Sequence, residues 1–215
     1  VVVWLLAAVL YKTYSWTWVL VAAALIAMVA IAVLHGYIDN INTWWQQKML
    51  SYLQAVNSDM QVDVTQQKAA ILQLAKIATG IQAGAILLIN AVWLVMARYW
   101  QAVLFNPGKL QVELHGVRMP QWTSLLLVVI VGLGALSKAA VVIDMLPALM
   151  VVFALAGLSL VHFIVAARQL HWILLLVFYA ALVFALPYMG VALVMIALSD
   201  SLFNIRSRYT KQTSN

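Results

Sequence analysis

Glu113 and His115 stand two residues apart with Arg118 just beyond, so a carboxylate, an imidazole and a guanidinium share one short polar stretch. A metal or hydrolytic centre would need a third ligand or a nucleophile beside them, and none follows. Pairing of Glu113 with Arg118 is the structural use the spacing favours. Asp200 lies just inside the last apolar run, where a carboxylate needs a cation; Arg118 or Arg98 could supply it. Glu113, Arg118, Asp200 and Arg206 are therefore expected to form one polar cluster. Lys138 and Asp144 flank a turn and either pair, reach a cavity, or snorkel toward an interface, the plainest of the three. Gln82 and Asn90 sit inside an apolar run beside Gly80 and Gly84, whose spacing lets a second helix approach. Asn90 is more readily interhelical glue than a ligand group. His162 has no second titratable group near it in sequence.

Other chemistries are missing. The chain has no cysteine, which removes disulfides, thiolate metal sites and cysteine nucleophiles. No HExxH, Ser/His/Asp set or paired carboxylates occur, so neither enzymatic activity, a metal nor a cofactor is expected.

The elements that carry these residues are dictated by composition. Of 215 residues, 66% are hydrophobic and 8% charged, against roughly a quarter charged in ordinary soluble domains. Such a chain uses lipid as its solvent. The expectation is an all-α, polytopic transmembrane bundle in a single membrane domain. Residues 1–10 read as the end of a span begun upstream, followed by six complete spans at 16–34, 77–97, 122–136, 145–166, 172–186 and 189–202. The last two replace one over-long helix, because Pro187 to Gly190 offers a turn.

Charge sets the orientation. A cytoplasmic C-terminus puts Lys12, Arg98, Lys109, Arg118, Arg168, Arg206, Arg208 and Lys211 inside and only Lys48, Lys68, Lys76 and Lys138 outside. Residues 98–121 become a cytoplasmic loop, 203–215 a cytoplasmic tail and 35–76 an external insertion. The net charge of +6 then serves orientation and anionic lipid headgroups, and nucleic acid is not an expected partner. Within the insertion, Ile41, Trp44, Trp45, Met49, Tyr52, Leu53 and Val56 recur at helical spacing opposite polar residues, as in an interfacial amphipathic helix. A second helix from about Thr65 should run into the next span. In the cytoplasmic loop, Asn106-Pro107-Gly108 predicts a tight turn, and residues 110–117 fit either a strand or a helical face.

Ala97-Arg98-Tyr99-Trp100-Gln101, Phe105-Asn106-Pro107-Gly108 and Glu113-Leu114-His115 with Arg118 resemble the signature of the YybS-like family of uncharacterised bacterial inner-membrane proteins. Asp200 to Arg206 resembles that family's ending; Lys109 departs from it, standing where a second glycine is usual. The family is similar in helical layout to the substrate-binding components of energy-coupling-factor transporters. The resemblance implies a small-solute binding or transport component of the bacterial inner membrane, with lipids, other membrane subunits and a small molecule as partners. It places Gln82, Asn90, Lys138 and Asp144 nearest a pocket. Asn106, Pro107, Gly108, Glu113, His115, Arg118, Asp200, Asn204 and Arg206 would form a cytoplasmic motif or partner contact. The alternative is a non-catalytic scaffold or accessory subunit of a larger membrane complex.

Overall fold

The computed structural model describes residues 1–57 and 64–207. Among them the chain forms ten α-helices and no strand. In order these are α1 (Val2–Thr13), α2 (Trp16–Tyr37), α3 (Ile41–Asn57), α4 (Val64–Leu74), α5 (Ala78–Phe105), α6 (Lys109–His115), α7 (Gln121–Ser137), α8 (Ala140–Ala167), α9 (Ile173–Phe184) and α10 (Leu186–Phe203). A 3-10 turn, Ala75–Ile77, carries α4 into α5. Arg208 and Lys211, two of the cations used to orient the tail, lie outside the described residues.

Among the described residues, four helical runs are long and apolar enough to cross a membrane: Trp16–Tyr37, Gln67–Phe105, Ala140–Ala167 and Leu186–Phe203. These coincide with four of the six expected spans. The other two fall on shorter apolar helices, α7 with 17 residues and α9 with 12. At 1.5 Å per residue α9 covers about 18 Å, well short of a hydrocarbon core of about 30 Å.

Local chemistry explains the boundaries. Tyr14, Lys138 and Asn204 take left-handed backbone angles and close α1, α7 and α10, each donating its N–H to a carbonyl four residues back. Gly108, at φ +84°, makes the turn after α5, a conformation in which a side chain would be strained. The stretch after it, open between strand and helix by pattern, is the short helix α6. Between α9 and α10 the break falls at Ala185 rather than at 187–190. Pro187 sits in the first turn of α10, where its missing N–H costs nothing, and Gly190 is inside that helix.

α8 is the central element, touching α2, α5, α6, α7, α9 and α10. Its closest neighbours approach at glycine. A Cβ on Gly80 would collide with the backbone carbonyl of Asp144, and one on Gly157 with the backbone of Leu193. Phe153, Val152, Ala156 and Ala148 of α8 are buried together with Val19 and Ile31 of α2 and Leu6 of α1. Helices surrounded by lipid gain little from apolar transfer between one another, so tight van der Waals contact at small residues and a few polar ties must hold the bundle.

Candidate functional site

At the end of the bundle where α2 and α7 begin, polar ties converge on the loop between α5 and α7. Arg98 near the end of α5 binds Glu113 of α6 through two hydrogen bonds, at 2.5 and 3.1 Å, and the Trp16 indole N–H donates to the same carboxylate at 3.2 Å. The Arg98 guanidinium holds the Glu113 carboxyl below the usual carboxylate range, against the opposing effect of burial. Glu113 thus takes Arg98, fifteen residues back, where spacing had favoured Arg118. Arg118 instead donates to the backbone carbonyls of Asp200 and Ser201 at 3.0 and 2.7 Å, and Thr17 of α2 exchanges hydrogen bonds with the Arg118 backbone.

Arg206 is the deepest cation among the described residues, 9% exposed. It donates to the Asp200 carboxylate at 2.9 Å, to the backbone carbonyls of His115 and Val117, and to the Ser159 hydroxyl at 3.1 Å. The expected four-residue cluster therefore resolves into neighbouring ties: Arg98 with Glu113, Arg206 with Asp200, and Arg118 on backbone carbonyls. Together they stitch α5, α6, α8 and α10 at one level. Burial pushes the His115 imidazole below its ordinary value, and the nearby His162 and Arg206 act in the same direction.

Beside these ties lies a cavity of about 620 Å³, walled by α2, α5, α6, α8 and α9. That volume falls in the range of small-molecule sites, roughly 300–1,000 Å³. Its walls are mostly apolar, including Val19, Leu20, Val95, Met96, Leu155 and Leu158, with Tyr99 and Gln111 as further polar members of the lining. A polar corner is formed by His115, Ser159, His162 and Tyr179. Among the described residues, no Asp, Glu, Lys or Arg lines it. The His162 Nδ1 lies 2.9 Å from the Leu158 carbonyl, and its Nε2 lies 3.1 Å from the Tyr179 hydroxyl. Tyr179 is the one polar side chain of α9, a signal visible in sequence once that segment is read as a wall.

The opposite end has its own tie. Asp144, fully buried in the first turns of α8, receives the Gly80 backbone N–H at 3.0 Å on one oxygen and faces His35 Nε2 at 2.9 Å with the other. This joins α2, α5 and α8. Trp45 of α3 donates to Thr79 at 3.0 Å and seats α3 against the same corner. His35 is not among the residues the sequence pattern singles out, although it is the one basic group in the last turn of α2. Asp144 has this histidine as its partner and not Lys138, which is exposed.

The four residues expected nearest a pocket are dispersed. Gln82 is exposed on α5, Asn90 donates to Ile86 of its own helix at 2.7 Å, Lys138 caps α7 and Asp144 is enclosed; none lines the cavity. Of the motif expected to face the cytoplasm, Gly108 and His115 line it. Glu113, Arg118, Asp200 and Arg206 brace its surroundings, while Asn106, Pro107 and Asn204 are exposed. No protein-family description, curated protein or solved structure matches this chain.

Proposed function

We propose that this chain is a multi-pass integral membrane protein that binds a small, largely apolar molecule as a component of a transport system. The observation that carries the reading is the 620 Å³ cavity, mostly apolar on its walls and polar at one corner. The four long apolar helices are compatible with membrane insertion. In this reading α7 and α9 also cross or nearly cross, giving six spans, with α3 and α4 lying outside. The excess of Lys and Arg near Arg98, Lys109, Arg118 and Arg206 supports placing that end in the cytoplasm. The YybS-like resemblance supports a bacterial inner membrane.

Ligand-dependent thermal stabilisation is the direct test. Purified protein in nanodiscs, screened against a library of apolar small molecules, should show a raised unfolding temperature that grows with ligand concentration. A chain that no compound stabilises, and whose cavity excludes them all in cross-linking, would not have this function.

One observation favours a second reading, that of an accessory subunit in a larger membrane assembly. α9 buries none of its side chains, so its apolar surface is free to meet lipid or another helix. Stoichiometric co-purification of the same membrane subunit under gentle extraction, lost when Val177 and Val183 on α9 are replaced by bulky residues, would select it.

A further inference from the structure

The cavity's polar corner defines the chemistry of its occupant, an inference that rests on the binding role proposed above. The Leu158 carbonyl can only accept, so the proton of a neutral His162 ring sits on Nδ1. Nε2 is then an acceptor and the Tyr179 hydroxyl must donate to it. That spends the phenol's only proton while leaving a lone pair on its oxygen. Ser159 is spent as well: its hydroxyl donates to the Leu114 carbonyl at 2.5 Å and accepts from Arg206. The His115 ring lines the same cavity with no hydrogen bond to a described residue. What the corner presents is therefore an unspent lone pair on the Tyr179 oxygen and, at a neutral His115 ring, one nitrogen that accepts and one N–H that donates, a pairing that a hydroxyl group, itself donor and acceptor, can meet.

Charge narrows the class further. The guanidinium of Arg98 is engaged by Glu113 and Gln101, and that of Arg118 by backbone carbonyls. The Arg206 guanidinium is held by the Asp200 carboxylate and the groups around it, and no arginine is among the described lining residues. An anionic headgroup would meet no cation among the described lining residues. A cationic one would meet no carboxylate, because Glu113 is occupied by Arg98 and Trp16. We infer that the cavity binds a neutral apolar molecule carrying a hydroxyl group, an alcohol or a phenol, whose O–H donates into the corner formed by Tyr179 and His115. The occupant could reach it from the bilayer, as a hydroxylated lipid, or from water, as a solute.

The test uses the whole chain in nanodiscs at about pH 8, where an ordinary histidine is neutral. A diazirine-bearing dodecanol is photocross-linked, and adducts are mapped by mass spectrometry to the lining segments of α5 and α8. Unlabelled dodecanol, dodecyl methyl ether, dodecanoate and dodecyltrimethylammonium then compete. One hydrogen bond should make dodecanol about three- to tenfold more potent than its ether, which keeps the tail but lacks the donor. Both ions should compete more weakly than the alcohol. Tyr179→Phe alone would bare the His162 Nε2 as a new acceptor, so it is combined with His162→Phe and His115→Phe; the triple variant should bring alcohol and ether close to equality, and should it fail to fold, the competitor series on the unaltered chain decides. Equal displacement by alcohol and ether, or strongest displacement by either ion, would overturn the inference and leave the binding role standing. Absence of any adduct in the cavity would overturn both. Lipid extraction before probe addition separates the two sources: a co-purified hydroxylated lipid identifies the bilayer, and a cavity filled only by added dodecanol identifies the water.

Discussion

Arg98 and Glu113 are joined by paired hydrogen bonds, Nη2 to Oε1 at 2.5 Å and Nε to Oε2 at 3.1 Å, across the turn that links α5 to α6. The pair holds α6 against the bundle, and α6 in turn supplies Leu110, Leu114 and His115 to the cavity wall. Side-on, two-point contact of this kind has more geometric definition than an ordinary surface ion pair. Glu113→Gln should therefore cost on the order of 1 kcal/mol in thermal or denaturant unfolding. Arg98→Glu combined with Glu113→Arg should recover part of that loss, whereas the two single reversals should not.

Acid should separate two contributions. The folded state lowers the Glu113 pKa, so its stabilisation is complete above the unfolded value of about 4.3 and is lost as pH falls through the folded one. The His115 pKa is lowered too, which has the same sign at a higher pH. Its contribution is complete above about 6.5 and declines as pH falls through the folded value. Glu113→Gln should flatten the lower limb of a stability–pH curve and His115→Asn the upper; identical curves for both variants and the parent would contradict this assignment.

Asp144 is expected to be the costliest single carboxylate to remove. It is fully buried and holds both the Gly80 amide and His35. Leaving these groups without a partner should destabilise Asp144→Ala by about 3–5 kcal/mol, the range for breaking a buried pair. Asp144→Asn should cost less, since its amide oxygen can still accept from Gly80 and its NH₂ can donate to a neutral imidazole. Retained monodisperse protein after detergent extraction, followed by thermal unfolding, would rank them.

Glycine substitutions should fall into two groups. Gly80→Ala and Gly157→Ala drive a methyl group into the backbone of a neighbouring helix and should strongly impair folding. Gly84→Ala is intermediate, because it meets the Val151 methyl group at 3.0 Å and the Ala148 Cα at 3.4 Å. Gly132→Ala and Gly190→Ala meet nothing within 4 Å and should be neutral or stabilising by up to about 1 kcal/mol. An unfolding series that scrambled this order would refute the close α5–α8 and α8–α10 approaches.

Arg206 should resist conservative replacement. Its acceptors lie in different directions: a carboxylate, two backbone carbonyls and a hydroxyl. A lysine ammonium is a single point of donation and cannot serve them at once. Arg206→Lys should thus lower the unfolding temperature nearly as far as Arg206→Ala; full retention of stability in the lysine variant would show that charge alone suffices.

The helical class and four of the long apolar runs were legible because uninterrupted Leu, Val, Ile and Ala admit few alternatives in lipid. The small-residue surface at Gly80 and Gly84 was legible for a similar reason: its spacing puts both on one face. Partners were harder. Glu113 has arginines at 98 and 118 within loop distance, and choosing between them depends on how α6 turns back on α5, which no local pattern encodes. The Asp144–His35 tie spans 109 residues and required knowing that α2 and α8 are neighbours. The cavity is a property of packing among five helices, so Tyr179, a single polar residue in an apolar run, gave no periodic signal of its own.

Asp144 and His162 are eighteen residues apart on α8. At 3.6 residues per turn that is five complete turns, so the two project from the same side of one rod, about 27 Å apart along its axis. One grips α5 beneath Gly80; the other reaches α9 through Tyr179. Any roll of α8 about its length would swing both through the same angle, making this helix a crankshaft between the two faces of the protein.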